Sequence, residues 1–332
     1  MKRVSFKGSS VFAVGLVLAA MLLLQGTAAA QANFPTRPIN LWVGLAPGGS
    51  ADVLSRALAD SAEKILGQKI VVVNKAGGGG AVAASLLTRE RPDGYTLLLS
   101  TDTFVTRAPH LSQLAYNPFT DLDLLMNLVQ WKTVWTVKAD SQFKNWRDLT
   151  AWAKKNPGQL TFGHCTASSF YFGMVKIAKD EGFTFRSVPY NCDGPTMTAV
   201  LGGHVMVGGR TAAPYRAHVL ANTIRILLAD EKISYAGAKQ ATFKDMKYDF
   251  EVPLLAVVVG PKGMPDAVKQ KLEKVFTEAM KSESFRKIAD DQEALIKPMS
   301  GKAFADYLKR TSATYEELTK EAGLHKSQPK KK

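Results

Sequence analysis

Two periodicities share this chain. Residues 39–46 form an almost unbroken apolar run and predict a buried strand, whereas from Ser50 to Leu66 the apolar positions Val53, Leu54, Ala57 and Leu58 recur at helical spacing. The alternation continues with a strand at 69–74, the loop AGGGG at 76–80, a helix at 81–89 and a strand at 95–100. It restarts with a strand at 133–138, a helix at 146–155 closed by Asn156-Pro157-Gly158, a strand at 160–163 and a helix at 170–181 stopped by Gly182. A strand at 185–189, a helix at 195–201, strands at 204–207 and 223–229 and an apolar run at 252–259 follow, and two amphipathic helices near 266–282 and 301–321 finish the chain. Apolar strands alternating with amphipathic helices predict an α/β fold with largely parallel sheets. The strand–glycine loop–helix unit occurs in both halves, and the length exceeds one ordinary core, so two domains are expected. Ligands of open parallel sheets sit beyond the carboxyl ends of the strands, which predicts a ligand cleft between the domains.

The first thirty residues follow another pattern. Lys2, Arg3 and Lys7 precede an apolar run at 11–24, and Ala28-Ala29-Ala30 or Ala30-Gln31-Ala32 supplies a small-residue cleavage site. This is the pattern of a secretory signal peptide, with an apolar run short for a membrane span. It predicts export to a periplasm after cleavage near Ala30 or Ala32, with no cysteine at either cut to carry a lipid. Loss of Lys2, Arg3 and Lys7 reduces the net charge from +14 to +11. Export argues against a nucleic-acid partner. The basic surface either steers anionic solutes or serves solubility alone, ending in the solvated tail HKSQPKKK.

Pro47-Gly48-Gly49, with Ser50 opening a helix, places unpaired N–H groups and the positive end of a helix dipole at one spot, which suits an anion. The stretch lacks the lysine and spacing of a phosphate loop and lacks GxGxxG. It reads either as an anion cradle using the N–H groups of Gly48 to Ala51 or as a tight turn capped by Ser50 or Asp52. The two readings are compatible if Asp52 orders the turn. Cys165 and Cys192 each follow a predicted strand end. In an oxidising compartment they either form a disulfide worth about 3 kcal/mol or stay as two buried thiols. His164 beside Cys165 raises a thiol nucleophile, but adjacent strand residues point to opposite faces, so His204 or His218 would have to take the proton. Five histidines and two cysteines lie scattered without metal-ligand spacing, so neither metal nor cofactor is expected.

Pro38-Ile39, the Pro47-Gly48-Gly49-x-x-Asp52 block, Gly67-Gln68, Asn74-x-x-Gly77 and Pro92-Asp93-Gly94-Tyr95 resemble, in order and spacing, the tripartite tricarboxylate transporter solute receptors, or Bug family. Tyr116-x-Pro118, Val188-Pro189-Tyr190, Gly194-Pro195, Leu201-x-Gly203 and Gly260-Pro261 extend the resemblance over nearly the whole chain after the leader. It implies a two-domain type II periplasmic binding protein, a Venus flytrap clamshell, with domain 1 at 31–130 plus 251–332, domain 2 at 131–250 and a hinge near residues 131 and 250. It also implies that a ligand carboxylate lies between two strand-to-helix loops, the first at Pro47, Gly48, Gly49, Ser50 and Asp52, the second at Gly163, His164, Thr166, Ser168 and Ser169. Loops holding Thr101, Thr103, Tyr190 and Asp193 would read the rest of the ligand.

The second half departs from the family pattern. GHCTASS replaces a glycine- and serine-rich loop, Asn191-Cys192 stands where a basic residue and glycine are usual, and Gly208-Gly209-Arg210 stands where an aspartate is usual. Arg210 either grips a carboxylate bidentately or pairs with Asp193 or Asp230. Phe104, Phe170, Tyr171 and Tyr190 either wall an aromatic ligand or belong to the core. The expected function is capture of a small mono- or dicarboxylate by a monomer that delivers it to a membrane permease, without catalysis. A ligand-sensing co-receptor of a membrane signalling protein and an exported cysteine-dependent hydrolase are the alternatives.

Overall fold

The computed structural model describes residues 34–165, 168–190, 194–235 and 240–327. The leader and its cleavage sites lie outside these residues, as do Thr166, Cys192 and Asp193. The chain runs through β1 (Ile39–Val43), α1 (Ser50–Leu66), β2 (Ile70–Asn74), a 3-10 turn at Gly78–Gly80, α2 (Ala81–Leu87), β3 (Thr96–Thr101), the single turns α3 (Thr103–Thr106) and α4 (Ala108–Leu111), and β4 (Leu122–Trp131). It then crosses to a second sheet through β5 (Thr133–Lys138), α5 (Trp146–Lys155), β6 (Leu160–Cys165), α6 (Ser169–Glu181), β7 (Phe185–Tyr190), α7 (Gly194–Leu201), β8 (Val207–Thr211), α8 (Arg216–Leu220), β9 (Ile224–Ala229), β10 (Ala241–Thr242) and α9 (Phe243–Met246). It returns with β11 (Leu255–Pro261), α10 (Asp266–Ala279), α11 (Glu283–Asp291), β12 (Ala294–Ser300) and α12 (Gly301–Glu321).

Two six-stranded sheets result, ordered β12-β4-β11-β3-β1-β2 and β10-β9-β5-β8-β6-β7. Both are mixed, where the sequence predicts largely parallel sheets. β11 lies antiparallel between β3 and β4, and β5 lies antiparallel between β8 and β9. These are the strands that arrive from the other sheet, and an antiparallel neighbour needs no crossover helix. The pairs β1–β2, β1–β3, β6–β7 and β6–β8 are parallel, so the loops after β1, β3, β6 and β7 gather at strand carboxyl ends.

Helix α1 shows why the predicted elements form. Gly49 enters it from extended backbone, and Gly67, at φ 67°, ends it in the left-handed conformation while donating to the Glu63 carbonyl. Ala51, Leu54, Leu58, Ala59 and Ala62 turn to the first sheet and are fully or nearly fully buried. Each leucine contributes about 1.5–3 kcal/mol of burial.

The predicted strand at 204–207 instead forms at Val207–Thr211. Gly208 and Gly209 weaken the strand signal, but packing requires them. A Cβ on Gly208 would lie 2.5 Å from Val200, and one on Gly209 2.5 Å from Phe162. β4 and β12, absent from the predicted alternation, complete the first sheet.

Helix α12 joins both halves. Phe304 and Leu308 pack with Trp42 and Phe104 on the first sheet, whereas Tyr315 and Leu318 enter the core of the second, where the Tyr315 ring meets Phe172 edge-on at 5.6 Å. Among the described residues no helix is long and apolar enough to cross a membrane.

Candidate functional site

The β1–α1 loop is a rigid turn with an exposed crown. Its base is a close backbone approach: a Cβ on Gly44 would lie 2.6 Å from Ser100 Oγ and 2.8 Å from Gly80 Cα. Asp52, 3% exposed, organises the turn. Its Oδ2 accepts from the Gly48 N–H at 2.9 Å and from Arg56 Nε at 3.2 Å. Its Oδ1 accepts from Arg56 Nη2 at 2.9 Å and from Asn74 Nδ2 at 3.0 Å. Burial pulls the Asp52 carboxyl upward, but the Arg56, Gly48 and Asn74 bonds outweigh it and hold the group below the usual carboxylate range.

This geometry corrects the expected cradle. The Gly48 N–H is spent on Asp52, and the Gly49 N–H points to the Ala46 carbonyl at 3.4 Å. The donors left for an anion are the first-turn N–H groups of α1, beginning at Ser50 and Ala51, because Gly49 offers no side-chain cap. Pro47, Gly48, Gly49 and Ser50 are exposed around them.

Beside this loop, β3 ends in Thr101 and α3 opens with Thr103, both half-buried, and their hydroxyls lie 3.1 Å apart. Between and behind them sits a fully buried pair, Asp102 and Arg107, at 3.3 Å. Asp102 Oδ1 also accepts from the Leu255 N–H at 3.0 Å, and Arg107 Nη1 donates to the Pro253 carbonyl at 3.3 Å. The pair thereby clamps the segment entering β11.

The second loop is built differently from expectation. Gly163 and His164 belong to β6 and are sealed inside. The space a Gly163 Cβ would need is taken by Val205 and Tyr190, at 3.0 and 3.2 Å. His164, 3% exposed, stacks on Tyr171 at 4.2 Å. Its Nδ1 lies 2.8 Å from the Cys165 carbonyl, which can only accept, so Nδ1 carries the proton and Nε2 accepts from Ser187 Oγ at 2.7 Å. Burial lowers the pKa of this imidazole, against the pull of the Cys165 carbonyl. His164 is therefore a neutral packing residue with both nitrogens engaged, which corrects its expected place in the jaw.

Ser168 and Ser169 do reach the helix entrance. Ser168 Oγ donates to the Cys165 carbonyl at 2.8 Å and caps α6 by accepting from the Tyr171 N–H at 3.3 Å. Ser169 is 1% exposed, and its Oγ finds no hydrogen-bond partner among the described residues. Cys165 is disulfide-bonded, and the chain has one other cysteine, Cys192, outside the described residues.

Arg210 is buried on β8 opposite Val134, near enough to the buried phenol of Tyr215 to act on it electrostatically. Phe104, Phe170 and Tyr171 are buried in the cores. Tyr190 is half-buried and lines a shallow hollow of about 490 Å³ with Pro195, Thr198, Ala199 and His204. A second groove, lined by Lys262, Lys269 and Lys302 with Asp123 and Asp266, contains none of the loop residues described above.

The first passage between sheets is also pinned. Lys132, between β4 and β5, donates to Glu293 Oε2 at 2.7 Å, and Glu293 also accepts from the N–H and hydroxyl of Ser234. The next residue, Thr133, donates its N–H to Asp230 Oδ1 at 2.8 Å. Asp230 Oδ2 is buried without a partner among the described residues, and burial pushes this carboxyl up to about 7. An acid whose folded pKa is raised contributes stability below its unfolded pKa of about 4 and loses it as pH rises through the folded value. This contribution should fade between about pH 4 and 7. Asp230→Asn keeps an acceptor for Thr133 but cannot ionise. It should melt above wild type at pH 8 and lose that advantage at pH 5; parallel melting curves across this range would contradict the assignment.

A family model described as the tripartite tricarboxylate transporter family receptor matches residues 54–324. The chain belongs to this family. A Cupriavidus necator relative, described as the UPF0065 protein in the gbd 5' region, is 33% identical over 318 residues, covering 95% of this chain and 97% of that one. A solved TctC solute-binding protein from Polaromonas is 25% identical, with a TM-score of 0.75, and covers 86% of this chain and 99% of that one. A protein of R. palustris solved with adipate shares the fold at 21% identity and a TM-score of 0.75, over 87% of this chain and 98% of that one. The architecture is thus that of a periplasmic binding protein, with two α/β domains and a clamshell arrangement.

Several residues that build the site carry little sequence signal. Asp102, Arg107 and Glu293 act through distant partners. The Asp52–Arg56 pair, at four-residue helical spacing, was readable.

Proposed function

We propose that this receptor is exported to the periplasm, captures a small carboxylate between its two domains and delivers it to the permease of a tripartite transporter, without making or breaking a bond. The observation that carries the reading is the exposed N-terminus of α1, which lacks a side-chain cap and is held rigid by the buried Asp52. Its unpaired N–H groups and dipole suit a carboxylate, and the loop lacks the lysine a phosphate loop would need.

The domains are residues 31–130 with 251–332, and residues 131–250. They close by a hinge at the two pinned passages, near 131–133 and 250–255, and along α12, whose carboxyl-terminal half packs in the second core. The α6 entrance at Ser168 and Ser169, with Thr166, forms the opposing jaw. Asp193 and Arg210 belong to its wall, and Cys165 pairs with Cys192. The disulfide at Cys165 removes the thiolate that a cysteine-dependent hydrolase would use. The receptor acts as a monomer without cofactor.

A thermal-shift screen of aliphatic and aromatic mono- and dicarboxylates, adipate included, tests this. A ligand at about 100-fold its Kd stabilises by about 2.7 kcal/mol, a shift of several degrees. A shift from a carboxylate is expected; no shift from any carboxylate, with sugars or amines run beside them shifting the protein instead or nothing doing so, would overturn the reading.

A further inference from the structure

Arg107 is fully buried, yet it reaches the edge of the proposed cleft through one side chain. Its Nη2 donates to Thr103 Oγ1 at 2.6 Å, and Thr103 Oγ1 lies 3.1 Å from Thr101 Oγ1. A guanidinium only donates, so the Thr103 oxygen is an acceptor in the first of these bonds. The two hydroxyls hold two protons. One is used between them, and the other is left to point away from the pair.

Both threonines are half-buried at the carboxyl end of β3, whose parallel neighbour β1 leads into the anion loop. The far side of Thr103 is closed by Gly79, where a Cβ would lie 2.9 Å from Thr103 Cγ2. A cation feeding a hydroxyl chain polarises it toward donation at its open end. The guanidinium itself is held by Asp102, by the Pro253 carbonyl and over the Tyr315 ring at 4.7 Å, so the base of the chain cannot swing.

We propose that Thr101 and Thr103 form a hydroxyl relay, positioned by Arg107, that presents one O–H to an acceptor atom of the ligand. The inference rests on the carboxylate-receptor reading and adds to it a requirement on the ligand. Beyond the carboxylate held at α1, the ligand carries a second acceptor, such as another carboxylate, a keto oxygen or a hydroxyl oxygen. Arg107 is a positioning residue, since it touches the relay and not the ligand.

Titration calorimetry tests the relay, with adipate or, if wild type does not bind adipate, the carboxylate giving the largest shift in the screen. Thr103→Val keeps the side-chain shape and removes the hydroxyl; Thr103→Ser keeps the hydroxyl. Thr103→Val should weaken binding about tenfold or more, while Thr103→Ser stays within about threefold of wild type. Arg107→Lys keeps the charge but cannot serve Thr103 and Pro253 together. It should weaken binding like Thr103→Val, and the double variant should bind no worse than the weaker single, the non-additivity expected of one chain of contacts. If Arg107→Lys does not fold, the two Thr103 variants decide the question. Wild-type affinity in Thr103→Val, equal losses in Val and Ser, or additive losses in the double variant would overturn the relay. Absence of any carboxylate binding by wild type would instead overturn the receptor reading beneath it.

Discussion

Asp102→Ala is expected to destabilise the protein by about 3–5 kcal/mol, the cost of leaving a buried charge without its partner. Asp102 and Arg107 are both 0% exposed. Besides Arg107, the Asp102 carboxylate accepts from the Leu255 N–H and, at 2.7 Å, from the Thr106 hydroxyl. Its loss strands the guanidinium and unfastens the entry to β11, where Tyr315 also donates to the Pro253 carbonyl at 3.1 Å. Urea unfolding should show the loss in full. The double variant Asp102→Ala/Arg107→Met should recover part of it, because an absent ion pair is less costly than half of one. Asp306→Ala, which breaks a pair whose lysine is 87% exposed, should change stability by no more than about 1 kcal/mol. An Asp102→Ala protein as stable as the Asp306→Ala protein would contradict the clamp.

Asp52→Ala is expected to weaken carboxylate binding about 10- to 100-fold. The carboxylate need not touch the ligand to have this effect. It holds Gly48, Arg56 and Asn74 together, and hydrogen bonds to a charged group contribute about 1.5–3 kcal/mol each. Without them, the loop must be ordered again each time a ligand binds, and that cost subtracts from affinity. Asp52→Asn keeps an acceptor for the Gly48 N–H and loses the ion pair, so it should fall between wild type and alanine. Calorimetry that finds the three proteins equal would remove Asp52 from the account.

The sequence shows most where one element carries its own pattern. Helix α1, with Leu54 and Leu58 on one face and Gly67 at its end, is legible because its spacing and its stop signal are local. The first loop is legible for the same reason: its glycines, the helix start and Asp52 lie within six residues. What that stretch does not show is which N–H groups are already spent, because the bonds of Gly48 and Gly49 depend on the folded turn.

The second jaw is less legible. His164 reads as a chemical residue but becomes a neutral packing group, because its partner Ser187 sits on the neighbouring strand, 23 residues on. β8 is displaced in the sequence reading because Gly208 and Gly209 weaken the strand signal. Their glycine character answers instead to Val200 and Phe162 pressing on the strand. The clamp at Asp102 and Arg107 is invisible in sequence, since its meaning lies in contacts with Pro253 and Leu255, about 150 positions away.

The central claim is that one carboxylate is gripped between the α1 entrance and the α6 entrance. The most direct test is a crystal structure with the carboxylate that stabilises the protein most. The account predicts carboxylate oxygens bonded to the Ser50 or Ala51 N–H on one side and held, directly or through water, by the 166–169 loop on the other. A ligand lying in the groove beside Lys262 and Lys302, or touching only one of the two domains in a closed molecule, would contradict it.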